Sequence, residues 1–135
     1  MVPPDLIDAA LEARRHAYAP YSSFRVGAAL RDENGRIHRG CNVENAAYPQ
    51  GLCAEAAALA AMVLAGGRTC VEIAIVGCGN GLITPCGGCR QKLREFGADD
   101  MNIYACDDTG EAKRTFLLGE LLPFAFGPEQ LGGSA

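Results

Sequence analysis

The 135 residues carry 49% apolar and 21% charged side chains, enough to bury one core and with no low-complexity tract to act as a linker, so one domain over 1–135 is expected. A net charge of −4, with the basic residues scattered, leaves no stripe to follow a phosphate backbone and argues against a nucleic-acid partner. Met1-Val2-Pro3-Pro4-Asp5 is not a basic segment followed by an apolar one, and the uncharged run between Ala56 and Arg68 is too short to span a bilayer; a soluble, cytoplasmic protein without membrane contact is expected.

Asp5 is a candidate N-cap for a helix running to about Tyr18, with Leu6, Ala9, Ala10 and Ala13 on one face and Pro20 closing the next loop. Phe24 to Arg31 and Arg36 to Cys41 are strand-like, joined by Asp32-Glu33-Asn34-Gly35, whose Asn-Gly step suits the positive φ angles of a tight hairpin turn. The Ala-rich stretch from about Leu52 to Leu64 predicts a helix that Gly66-Gly67 ends, and Val71 to Val76 predicts a buried strand. A helix opening near Pro85-Cys86 continues through Gln91 to Phe96. Then come a strand over Met101 to Cys106, a turn at Asp107-Asp108-Thr109-Gly110, a strand near Lys113 to Phe116 and a short helix at Gly119 to Leu122. Helices alternating with strands predict an α/β fold with both sheet faces covered, and the hairpin makes the sheet mixed.

Seven cysteines without a secretion signal argue for free thiols rather than a disulfide framework. Cys70, Cys78 and Cys106 lie in or beside apolar stretches and read as small buried hydrophobes, as does Cys41. The other three belong to Cys53-Ala54-Glu55 and Pro85-Cys86-Gly87-Gly88-Cys89. Three thiolates with an acid nearby, Glu55, suit a zinc that keeps its fourth position for water. Both segments fall at predicted helix starts, where free N–H groups and the positive dipole end stabilise thiolates. Two other readings of Cys-x-x-Cys are a zinc knuckle, in which Cys41 or Cys78 would supply a fourth ligand, and a redox pair, which leaves Cys53 and Glu55 without a purpose.

Taken together, the two segments resemble the signature of the zinc deaminases, with Cys at the position that is His in others. The resemblance extends to the segment from Tyr18 to Leu30, Tyr-Ala-Pro-Tyr-Ser-Ser-Phe-Arg-Val-Gly-Ala-Ala-Leu, and to Gly40-Cys41-Asn42-Val43-Glu44-Asn45-Ala46. From about Ala19 to Phe126 the chain is similar to the small, single-domain, homotetrameric cytidine deaminases. That resemblance implies a three-layer α/β/α sandwich with a mixed five-stranded sheet, one zinc per subunit on Cys53, Cys86 and Cys89, and proton transfer by Glu55. It further implies Phe24 stacking on the pyrimidine, Asn42 and Glu44 on the ribose, Ala54 and Tyr48 at the substrate, and Phe126 reaching a neighbour's site in a tetramer with shared active sites.

The implied reaction is hydrolytic deamination of cytidine and deoxycytidine to the uridine nucleosides with release of ammonia, in pyrimidine salvage. A carboxylate at Glu44 accepts bonds from sugar hydroxyls and would repel a nearby phosphate, which favours a nucleoside over a nucleotide. Many family members have Arg after the catalytic Glu, where this chain has Ala56. The charge compensation for three thiolates is then expected from Arg90 and the helix dipoles. Alternatives are a deaminase of another aminopyrimidine nucleoside such as blasticidin S, and a zinc-stabilised binding module without turnover.

Overall fold

The computed structural model describes residues 2–132; Met1 and residues 133–135 of the expected domain lie outside the described residues. Helix α1 spans Pro4–Arg14, and its cap is Pro3 rather than the expected Asp5. Proline has no N–H to leave unpaired and its fixed φ suits a first helical turn, so Pro4 starts the helix two residues early. Asp5 then turns outward to Arg31 at 2.9 Å. The helix ends at Arg14, short of the expected Tyr18, and the Tyr18 backbone pairs with the segment around Val43.

Strands β1 (Gly27–Asp32), β2 (Ile37–Cys41), β3 (Cys70–Val76), β4 (Asn102–Cys106) and β5 (Ala112–Leu117) form one sheet in the order β2-β1-β3-β4-β5. Only β3 and β4 run parallel; the other pairings are antiparallel, so the sheet is mixed as expected. Helices α2 (Ala54–Leu64), α3 (Gly87–Phe96) and the short α4 (Leu118–Leu121) complete the chain's main elements, with 3₁₀ turns at Tyr48–Gln50 and Pro128–Leu131 that the sequence reading lacked.

Alternation along the strands divides the core into two layers. Ala29, Ala74, Val76, Tyr104 and Cys106 face Leu6 and Ala10 of α1. Their neighbours Ala28, Leu30, Ile73, Ile75, Ile103 and Ala105 face the other way, against Ala58 and Met62 of α2, Leu93 of α3 and Leu118 of α4. This is the three-layer sandwich. The helices come close because two strand positions lack a side chain. A Cβ on Gly27 would lie 2.1 Å from the Ala10 carbonyl oxygen, and one on Gly40 would lie 2.3 Å from that of Ala54. The contact at Gly40 fixes the first turn of α2, and so the depth of Glu55 below the surface.

The hairpin forms where expected, but only Gly35 has a positive φ, at 80°; Asn34 does not. Asp32 accounts for the difference, because its Oδ1 accepts the Asn34 and Arg36 N–H groups at 2.8 and 3.0 Å and its carbonyl accepts that of Gly35 at 3.0 Å. The other carboxylate oxygen meets His38 Nε2 at 2.7 Å in the interior, both side chains being buried. The His38 bond, ahead of the two backbone donors, holds the Asp32 carboxyl below its ordinary range against the opposing effect of burial.

A carboxyl depressed in the folded state contributes stability that is complete above its unfolded pKa, about 4, and is lost as pH falls through the folded value. Replacing His38 by Phe should lower Tm by several degrees at pH 7 and narrow its deficit relative to the parent as pH drops below about 4. Thermal unfolding between pH 7 and 3 checks this; parallel curves over that range would contradict it.

Candidate active site

Both motif segments fall on helix starts. Cys53 is the N-cap of α2 and Cys86 that of α3, so the free N–H groups of two helices face one spot. The α2 helix begins at Ala54 rather than near Leu52 because the Leu52 backbone pairs with Val43 in both directions, at 2.8 and 2.9 Å. That bridge ties the Asn42–Glu44 segment directly to the first cysteine.

The sulfurs of Cys53, Cys86 and Cys89 all lie within 4.8 Å of one another, and those of Cys53 and Cys86 are 3.8 Å apart. Two sulfurs bound at about 2.3 Å to a tetrahedral zinc stand about 3.8 Å apart, so the donor set fits this metal. No fourth His, Cys, Asp or Glu joins the group among the described residues. Cys78, a candidate fourth ligand in the knuckle reading, is bonded elsewhere: its sulfur accepts the Arg25 N–H at 3.1 Å. Cys53 and Cys86 are exposed and Cys89 is buried, so the open side of the site faces outward into a cavity of about 380 Å³.

Burial raises the thiols of Cys53 and Cys89, with the nearby Glu55 and thiol charges adding to it. Burial opposes ionisation of Cys86 as well, but the Cys89 backbone N–H and the adjoining thiols outweigh it and hold Cys86 below its ordinary value. Cys70 and Cys106, in contrast, are inert core thiols, pushed by burial to about 12 and about 11. Cys78 departs from the expected apolar burial: it is half-buried and polar in its contacts, as argued below. Cys41 is also only half-buried.

Glu55 is 5% exposed, in the first turn of α2, and borders the same cavity. Burial pushes its carboxyl up, and the α2 N-terminus and the Lys92 charge only partly offset this. Ala54, beside it, is also buried and borders the cavity. Phe24, Asn42, Glu44 and Tyr48 form the outer walls, so all four expected contact residues are brought together. The sequence reading did not single out Val26, Ile83 and Thr84, which also line the cavity. The last two lie just before Pro85-Cys86, a closeness in sequence that could have flagged them.

Asn42 and Glu44 also have structural partners. Asn42 Oδ1 accepts the Val26 N–H and its Nδ2 donates to the Phe24 carbonyl, both at 2.8 Å, so a side chain takes the place of a strand partner and β1 starts at Gly27 instead of Phe24. Glu44 accepts the N–H groups of Tyr21 and Ser22 and the Ser22 hydroxyl. The Ser22 hydroxyl is the main cause of a Glu44 carboxyl held below its ordinary value. Phe126 is not at this cavity; its side chain is exposed beside Pro128 and Leu131, and its carbonyl accepts Gln91 Nε2 at 2.8 Å.

Arg90 requires a correction. Its guanidinium donates to the carbonyls of Pro85 and Leu121, at 2.8 and 2.9 Å, and to Thr84 Oγ1 at 3.1 Å; none of its hydrogen bonds goes to a ligand sulfur. Through these three bonds the guanidinium fork braces the loop before Cys86 against the end of α4. The cation near the metal loop is Lys92, whose Nζ would lie 3.7 Å from a Cβ on Gly88. It stands beside Ala56, the position without an arginine.

Comparison with known proteins agrees with this geometry. A family model for the cytidine and deoxycytidylate deaminase zinc-binding region matches residues 4–105. A cytidine deaminase of Sporosarcina psychrophila is 42% identical, covering 96% of this chain and 95% of its own. One from Mycobacterium tuberculosis is 43% identical over 90% and 87%. The crystal structure of cytidine deaminase from Burkholderia pseudomallei superposes with a TM-score of 0.86 at 45% identity, covering 93% of this chain and all of that one. With three converging thiols, a buried acid beside them and matches along nearly its whole length, the chain belongs to the zinc-binding cytidine and deoxycytidylate deaminase family.

Proposed function

We propose that this chain is a zinc-dependent enzyme that converts cytidine and deoxycytidine, with water, to uridine and deoxyuridine and ammonia, acting in the cytoplasm in pyrimidine salvage as a single catalytic domain. The observation that carries the reading is the buried Glu55 carboxyl bordering the cavity at the three thiols. A structural zinc site would have no use for an acid there. Zinc, when bound by Cys53, Cys86 and Cys89, supplies Lewis-acid activation of water.

The chain's own residues do the rest. Phe24 stacks on the pyrimidine, and Asn42 and Glu44 accept the ribose hydroxyls through oxygen lone pairs left free by their loop contacts. Glu44, ionised at neutral pH, disfavours a substrate with a phosphate at that end. Glu55 takes a proton from the attacking water and delivers it to N3 of the ring as the oxygen bonds to C4. It then takes the proton of the new C4 hydroxyl and passes it to the amine, which leaves as ammonia while the C4 carbonyl forms. Its raised pKa suits this exchange, since a carboxyl too readily ionised would be a poor proton donor. The excess negative charge of three thiolates falls to the N-termini of α2 and α3, with the cation of Lys92 at longer range.

Glu55→Gln should keep the fold and the zinc content while lowering kcat by about a hundredfold or more, because the amide keeps the shape and removes the proton carrier. Metal analysis beside a cytidine assay checks both. Turnover equal to the parent would remove Glu55 from the mechanism.

Tyr48, at the wall of the cavity, is itself largely exposed, and Phe124, Phe126 and Leu131 leave apolar surface exposed near the C-terminus. A homotetramer in which Phe126 and Tyr48 complete a neighbour's site accounts for both. Active protein should therefore sediment as a species larger than one chain, and Phe126→Ala should raise KM. A fully active monomer at assay concentration would contradict the shared site.

A further inference from the structure

The loop carrying Phe24 is held from two sides. Glu44 and Asn42 hold it from the cavity, through Tyr21, Ser22 and the Phe24 carbonyl. The opposite side is held by residues to which nothing so far assigns a role. The Arg25 N–H donates to Cys78 Sγ at 3.1 Å, and the Cys78 thiol has the Arg25 carbonyl within reach at 3.4 Å. Arg14 closes the cluster, with Nε on that same carbonyl at 3.2 Å and Nη2 on Cys78 Sγ at 3.4 Å.

Both anchors stand at the ends of rigid elements. Arg14 is the last residue of α1, and Cys78 follows β3 by two residues. Between them and the cavity the backbone takes a conformation it would not adopt unaided, since Ser23 has a φ of 59°, in the left-handed region that non-glycine residues avoid. A residue in that region persists when its surroundings over-determine it. Here the surroundings are Glu44 on one side and the Arg14–Cys78 pair on the other, with Phe24 between them.

We propose that Cys78 and Arg14 are positioning residues that set how far Phe24 stands into the cavity, and with it the affinity for the pyrimidine ring. The proposal rests on Phe24 as the stacking residue of the reading above. Cys78 acts as a hydrogen-bonding group whose sulfur accepts and whose S–H donates, a role alanine cannot fill and serine can. The pair lies outside the proton-transfer machinery, so its loss should appear in KM and hardly in kcat.

The test uses the zinc-loaded enzyme. Cys78→Ala should raise KM for cytidine about fivefold, the equivalent of one neutral hydrogen bond, with kcat within about twofold of the parent. Amide exchange at Phe24 and Arg25 should speed up, and Cys78→Ser should recover most of both changes. Arg14→Lys should produce the same KM effect from the other element and add little to Cys78→Ala in the double variant, since both act through one peptide. Parent-like KM and exchange in Cys78→Ala would overturn the proposal, as would a serine variant that recovers neither. The exchange measurement needs no turnover, so it separates failure of the clamp from failure of the proposed reaction.

Discussion

Three thiolates repel one another, and keeping them within 4.8 Å requires positive charge from somewhere. The fold supplies it with backbone before any side chain contributes. Cys53 and Cys86 occupy N-cap positions of α2 and α3, where a Ser or Asp would ordinarily satisfy the free N–H groups. Sulfur stands there instead, and the Cys89 N–H helps hold the Cys86 thiol below its usual value. Both helices must then pack on the same sheet face with their N-termini together. The glycine at 40 makes this possible for α2, and the parallel β3–β4 crossover places α3 beside it.

The same economy governs the substrate side. Asn42 and Glu44 do not wait as free polar groups; each is already bonded to the Phe24 loop. Their orientation is thereby fixed before any ligand arrives, at no cost in side-chain entropy on binding. The link between Val43 and Leu52 ties these residues to Cys53, so the Asn42–Glu44 wall of the cavity and the first cysteine form one hydrogen-bonded unit.

Much of this was legible in the sequence because it depends on local chemistry. The thiols and Glu55 sit at helix starts that glycine, proline and alanine patterns mark, and the apolar runs of β3 and β4, alternating with helices, mark a sheet covered on both faces. What was not legible depends on which partners the polar side chains take once the chain has folded, whether near or distant in sequence. Asp32 reshaped the turn beside it through bonds to Asn34, Arg36 and His38, leaving a positive φ at Gly35 alone. Arg90 lies next to a ligand in sequence, yet its guanidinium turns to carbonyls at Pro85 and Leu121, the latter 31 residues away. Cys78 read as one more small hydrophobe, and only the approach of Arg14 and Arg25 gives its sulfur polar work.

The central claim is that three cysteines hold a metal beside a buried acid so that water can replace an amine. It is tested most directly by measuring ammonia and uridine released from cytidine by the purified protein as zinc is removed and returned in steps. The account predicts equal amounts of the two products, at a rate proportional to bound zinc up to one ion per chain. Full turnover after the zinc has been stripped, or no ammonia at full occupancy, would contradict it.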